Sequence, residues 1–166
     1  MGYRRGEIVD RAIAFLDDVG LDALSMRKLA ADLGIQVGAL YHHFENKAAL
    51  YAAVSDEILR RGRRPAEIVA WDAELSLLCA ELRDAMRRHR DGAALIAQVH
   101  RYDAEVLERP MRSALERGGA DDHLARVGAR TLVRLTLSHE ADDADDFSLA
   151  LGLVLDGLRH RLSSPS

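Results

Sequence analysis

The residues with chemistry to offer gather in one short stretch. Val37, Gly38 and Ala39 are small, Tyr41 carries a phenol, His42 and His43 imidazoles, and Lys47 an ammonium. Glycine weakens a helix, so Gly38 in a run this short is better explained by close approach of the backbone to something bulky than by propensity. A base-pair edge is the partner that fits, because an α-helix enters the major groove and its first residues meet the bases. Metal chemistry does not suit the histidine pair. Adjacent helical residues point about 100° apart, so His42 and His43 cannot easily share one ion.

Other reactive types are scattered. His139-Glu140-Ala141-Asp142-Asp143 approaches a zinc-protease signature, but its fifth residue is Asp and no further histidine completes it nearby. Asp142, Asp143, Asp145 and Asp146 lack the loop glycine of a calcium-binding hand and read as negative charge at the start of the last helix. Cys79 is the single cysteine, which excludes an intrachain disulfide and a multi-cysteine metal site. Set among Leu75, Leu77, Leu78 and Leu82, it reads as a buried, inert thiol. No nucleophile with a base, and no metal set, stands at recognisable spacing, so neither an enzyme nor a cofactor is expected.

The elements that must position the short stretch are helices. The chain has 166 residues, 48% apolar and 30% charged, with only 5% aromatic residues and 3 prolines, a composition for an all-α protein. Ile8, Ala12, Phe15, Leu16 and Val19 form one helical stripe that Gly20 ends. Ser25 caps a second helix with Leu29, Ala30 and Leu33 inside, stopped at Gly34. A third runs from near Gln36 to about His43, with Leu40 and Phe44 as core residues. Asn46 caps a fourth carrying Leu50, Val54 and Ile58, and Arg60 to Pro65 reads as a solvated helix end and junction. Beyond it come a helix from Ile68 to about Arg90 with Trp71 as a core residue, and a broken stretch from Asp91 to Tyr102. Helices from Ala104 to Arg117 and from Asp121 or Asp122 to about Ser138 follow. An acidic loop from Glu140 to Asp146 then precedes a last helix with Phe147, Leu151, Val154, Leu155, Leu158 and Leu162. The division expected is 1–62 and 63–166. From Met1 to Arg64 there are 10 basic against 9 acidic residues, and in the remainder 13 against 18, so the net charge of -4 resides in the second part. The first twenty residues, with Asp10, Asp17 and Asp18, resemble neither a secretion signal nor a membrane span, and a cytoplasmic protein is expected.

Two short helices about a glycine turn describe a helix-turn-helix. The residues Leu24-Ser25-Met26-Arg27-Lys28-Leu29-Ala30, Leu33-Gly34-Ile35 and Gly38-Ala39-Leu40-Tyr41-His42-His43-Phe44-Glu45-Asn46-Lys47-Ala48-Ala49-Leu50 resemble the DNA-binding domain of TetR-family transcriptional regulators. The resemblance spans roughly residues 5 to 62. It implies a three-helix reader in which Tyr41 and Lys47 bind phosphates while Gln36, Val37, Ala39 and His42 face the groove and Gly38 approaches it. Ser25, Arg27 and His43 complete the contact set, Arg27 reaching a guanine edge or the backbone and His43 a phosphate. Val37 and Ala39 offer only apolar contact, so much of the reading falls to DNA shape.

Downstream, Trp71, Ala85, His89-Arg90-Asp91-Gly92-Ala93, Gly152-Leu153 and Gly157-Leu158 resemble the tetracycline-repressor subgroup. Where that subgroup has a drug-binding Asn and Phe, this chain has Leu78 and Leu82, which implies an apolar or aromatic effector. Met86, His100, Tyr102, Met111, Thr131 and Arg134 add a few polar groups among apolar helices and complete the candidate effector pocket. The expectation is a ligand-responsive repressor, homodimeric on a palindromic operator. Its interface is a four-helix bundle from the last two long helices of each copy, approached closely at Gly128, Gly152 and Gly157. The alternatives are a small-molecule or partner-binding helical module with a vestigial helix-turn-helix, and an enzyme using the helical pocket.

Overall fold

The computed structural model describes residues 3–63, 70–139 and 143–163, and its described residues are helical with no strand. In chain order the helices are α1 (Arg5–Val19), α2 (Met26–Asp32), α3 (Val37–Tyr41), α4 (Lys47–Gly62), α5 (Trp71–Arg88), α6 (Gly92–Tyr102), α7 (Glu105–Arg117), α8 (Asp122–Ser138) and α9 (Ala144–Ser163). They form two compact units. One comprises Met1–Gly62 with Ala85–Tyr102, the other Arg63–Asp84 with Asp103–Ser166.

In the first unit the α1 stripe buries Ile8, Ala12 and Leu16 completely. Local signals set the next boundaries: the Ser25 hydroxyl accepts from the Lys28 amide at 3.3 Å and the Asn46 side chain from the Ala49 amide at 2.9 Å. Arg11 of α1 grips Asp32 of α2 through two bonds of 2.5 and 2.6 Å. The stretch expected to be broken from Asp91 to Tyr102 is instead helix α6. Asp91 itself turns the chain at φ 54, so Gly92 opens the helix rather than interrupting it. Leu95, Ile96 and Val99 are buried and α6 packs on α4, which is why this segment joins the first unit.

In the second unit α7 and α8 pack along their lengths, and Asp121 caps α8 by accepting from the Leu124 amide at 2.7 Å. Trp71 is half-buried, its ring seated on Gly118, where an added Cβ would lie 2.6 Å from the indole. Gly128 is buried within its own chain: a Cβ there would meet Leu115 at 2.9 Å and Leu158 at 3.3 Å. It therefore serves the contact of α8 with α7 and α9, not the approach of a second copy. Gly152 and Gly157 have nothing within 4 Å of a built Cβ. α9 starts earlier than expected, with Asp145 and Asp146 in its first turn and the Asp143 carboxylate accepting from the Asp145 amide at 2.8 Å. Arg64, Pro65 and Ile68 of the expected junction and helix start, and Glu140 to Asp142 of the acidic loop, lie outside the described residues.

Between α1 and α4, Glu57 binds Arg60 and Arg61, and Arg61 also binds Asp10. The Arg60 bond, with Arg61 beside it, lowers the Glu57 carboxyl to about 2 against burial that opposes the shift. A carboxyl depressed on folding contributes stability above its unfolded value, and that contribution disappears as pH falls from about 4.5 toward 2. Glu57→Gln is expected to flatten this acid limb and to approach the parent only as pH falls below about 2. The effect is about 1 kcal/mol or less, because both guanidinium groups are exposed to solvent. Urea midpoints across that pH window measure it.

Candidate nucleic-acid interface

The turn between α2 and α3 is closed by backbone bonds from Gly34 to Ala31, 3.1 Å, and from Ile35 to Ala30, 3.0 Å, with Gly34 at φ 68. This wedge has two sides. Met26, Leu29, Ala30, Leu33 and Leu40 are buried, and Phe44 is only 1% exposed, so the apolar side is used up inside the unit. The other side exposes Arg27, Lys28, Gln36, Gly38, Tyr41, His42, His43 and Lys47, with Ser25, Val37 and Ala39 half-buried. Tyr41 is 52% exposed although both neighbouring aromatic and aliphatic positions, Phe44 and Leu40, are core. An exposed phenol beside small residues is a surface prepared for a partner. A Cβ built on Gly38 meets nothing, so the fold itself does not require glycine there and the bare backbone opens outward.

The sequence-derived DNA set is thus exposed or half-buried throughout, with one qualification. Ser25 spends its hydroxyl as the α2 cap. Lys47 rides on the ring of Tyr51, 4.9 Å from its centroid, and the Tyr51 hydroxyl donates to the carbonyls of Leu24 at 3.0 Å and Leu21 at 3.4 Å. Tyr51 is a residue that sequence reasoning missed. Its neighbour Leu50 belonged to the apolar stripe, but nothing local signals that the phenol holds the loop leading into α2.

A second missed feature joins the end of α1 to the turn between α5 and α6. Asp17 accepts from the Arg90 amide at 3.1 Å and meets the His89 ring at 3.0 Å. Arg90 donates to the Asp18 carbonyl at 2.9 Å, and Asp91 accepts from the Leu21 amide at 2.9 Å. Gly20, at φ 86, admits this approach, since a Cβ would lie 2.7 Å from the Asp91 carboxylate.

The candidate effector residues divide between the units. Leu78, Leu82, Met111, Thr131 and Arg134 belong to the second; Met86, His100 and Tyr102 to the first. Leu82, Met86 and Met111 are buried, Leu78 and His100 half-buried. Tyr102 is 73% exposed; Thr131 and Arg134 are exposed as well, and the Thr131 hydroxyl donates to the Val127 carbonyl at 2.8 Å. Cys79 is fully buried, and burial pushes its thiol up to about 11, leaving it protonated. The His139 ring is occupied locally, its Nδ1 2.8 Å from the Leu135 carbonyl. Among the described residues no group of three or more His, Cys, Asp or Glu could hold a metal ion, and no helix is long and apolar enough to cross a membrane.

Comparison with known proteins agrees with this geometry. Residues 8–54 match the family described as bacterial regulatory proteins, tetR family. The chain is 40% identical over 119 residues to the tetracycline repressor protein class D of Escherichia coli, a match covering 69% of this chain and 55% of that protein. It therefore spans about half the length of that repressor. To the HTH-type transcriptional repressor Rv1474c of Mycobacterium tuberculosis it is 32% identical over 176 residues, 99% of this chain and 84% of that one. Among solved structures, BioQ with its double-stranded DNA operator superposes with a TM-score of 0.81 at 33% identity, covering 94% of this chain and 98% of that chain.

Proposed function

Since the chain belongs to the TetR family of bacterial regulatory proteins, we propose that it is a non-enzymatic, cytoplasmic transcriptional repressor that binds a palindromic operator as a homodimer and releases it on binding a small apolar or aromatic effector. The observation that carries this reading is the two-sided α2–α3 wedge, with Leu40 and Phe44 inside and Tyr41, His42 and Lys47 out. The relative BioQ, solved on its operator, supports it. A vestigial helix-turn-helix would have no reason to keep an exposed phenol and a bare Gly38 backbone on the same face.

Residues 1–62 carry DNA recognition in this reading, and 63–166 effector binding and dimerisation. Gln36, Val37, Gly38, Ala39 and His42 face the bases, while Arg27, Tyr41, His43 and Lys47 hold the backbone. Two copies are required because one short helix touches too few base pairs, and two-fold symmetry places a second helix about 34 Å away. The self-complementary face is the exposed seam of α8 and α9. Leu78, Leu82 and Met111 supply the apolar effector contacts of the second unit, consistent with an effector lacking the polar pattern that an Asn would recognise. An effector that prefers the non-operator state by roughly 100-fold supplies about 2.7 kcal/mol of coupling.

Selection of bound duplexes from a random pool, followed by a check of their two-fold symmetry, tests the reading; recovery of no enriched or symmetric site overturns it. On a selected duplex, Tyr41→Ala and Lys47→Ala are expected to weaken binding on all sequences. The salt slope falls by about two per dimer for Lys47, one phosphate from each copy. Val37 and Ala39 substitutions instead shift base preference by about 1–3 kcal/mol at single positions. Fluorescence anisotropy on selected and scrambled duplexes across salt separates the two kinds of contact.

A further inference from the structure

We propose that Arg5, in the first turn of α1, is a further phosphate contact of this repressor, its guanidinium held on the Phe44 ring so that its N–H edge meets the DNA strand passing the end of α3. The inference rests on the reading of α2–α3 as the DNA reader. Arg5 Cζ lies 5.0 Å from the centroid of Phe44. The Phe44 ring in turn lies 6.4 Å from that of His43, tilted by 51°. The Phe44 ring thus has the Arg5 cation over it and the exposed His43 as its neighbour.

Stacking occupies the face of a guanidinium and leaves its in-plane donors directed outward. A stacked arginine is also pre-oriented, so less freedom is lost when it meets an oxygen pair. Its cationic neighbours are each paired with a carboxylate. Arg11 is bound to Asp32, Arg60 to Glu57, and Arg61 to Glu57 and Asp10. Arg5 lines the same α1–α4 cleft as Asp10, Asp56 and Glu57; Glu57 is held by Arg60 and Arg61, and Asp10 by Arg61. Among the described residues no carboxylate lies within ion-pair distance of the Arg5 guanidinium. An aromatic ring fixes this cation without neutralising it, and that ring neighbours the exposed His43.

The test uses the full chain and a roughly 30-base-pair duplex, about three helical turns, recovered by selection with the unmodified protein. Arg5→Gln keeps a stem and a planar amide over Phe44 but removes the charge. The slope of log K against log salt is expected to fall by about two per dimer, one phosphate from each copy, on selected and scrambled duplexes alike. Arg5→Lys retains the charge and is expected to retain the slope. The slope reads only the folded protein that binds, so a lowered melting temperature does not mask it. An unchanged slope in Arg5→Gln while Lys47→Ala lowers it overturns this contact alone. Failure of the unmodified protein to bind any duplex overturns the contact and the DNA-reader assignment together.

Discussion

Replacing Leu149 and Leu153 together with glutamate is expected to leave a folded monomer that has lost about a thousandfold in operator affinity. Both side chains project from α9 into water in the single chain, 66% and 68% exposed, and they stand one turn apart. On α8, Val127 is 44% exposed, and Gly157, two turns beyond Leu149, has open space around it. A row of bare leucines on one helix is stable in water only if something covers it, and burial of each is worth about 1.5–3 kcal/mol. In a two-fold interface every such residue counts twice, and the substitution would bring four carboxylates into the same seam. The fold of the monomer should tolerate the change, because the positions are already solvated and glutamate is about as good a helix former as leucine. Operator binding should not, because two linked half-sites give a specific complex its advantage over non-specific DNA, commonly a thousandfold or more. Sedimentation equilibrium and anisotropy on the selected duplex measure both effects, with circular dichroism as the folding control. A persistent dimer with full affinity would place the seam elsewhere.

What the sequence discloses is what local periodicity and local hydrogen bonding determine. Ile8, Ala12 and Leu16 recur at helical spacing and are the fully buried stripe of α1; Ser25 and Asn46 are cap residues and do cap. The same logic separates Leu40 and Phe44, inside, from Tyr41, outside, and so the buried and exposed sides of α3 were legible before any coordinates. α6 was not, because a positive φ at Asp91 is decided by a partner 70 residues away, the Leu21 amide, and leaves no mark in the neighbouring residues. Gly128 misled for a related reason. A glycine in a late helix signals close approach, but only the packed fold tells that Leu115 and Leu158 of the same chain are what approach. Arg5 and Phe44 are 39 positions apart, beyond any periodicity, so that pair was equally invisible. For the effector the sequence offered residue types without enclosure, and types alone did not distinguish buried Met111 from Tyr102 in water.

The same long-range argument makes Gly20 a sensitive position of the first unit. Gly20→Ala is expected to cost about 2–5 kcal/mol, combining the strain of a side chain in a glycine-only region with the loss of a partly buried hydrogen bond. Its backbone stands at φ 86 and ψ 170, and the new Cβ would sit 2.7 Å from the Asp91 carboxylate that holds the Leu21 amide. The carboxylate cannot simply swing aside, because doing so releases that amide. For a chain of this size the melting temperature should drop by roughly 5–15 °C. Gly34 is the control: it has φ 68 but open space around it, so Gly34→Ala should cost only about 1–2 kcal/mol. Combining Gly20→Ala with Asp91→Ala removes the clash and leaves the strain, so the two losses should fall short of additivity by about 0.5–3 kcal/mol. Strict additivity would mean the contact carries nothing. The consequence reaches the start of α2, since Leu21 and Leu24, which bracket the loop after Gly20, receive the Tyr51 hydroxyl and lead directly to the Ser25 cap. A chain that keeps its helices but loses this junction should therefore hold α2 loosely and bind the selected duplex more weakly, in proportion to the stability lost at Gly20.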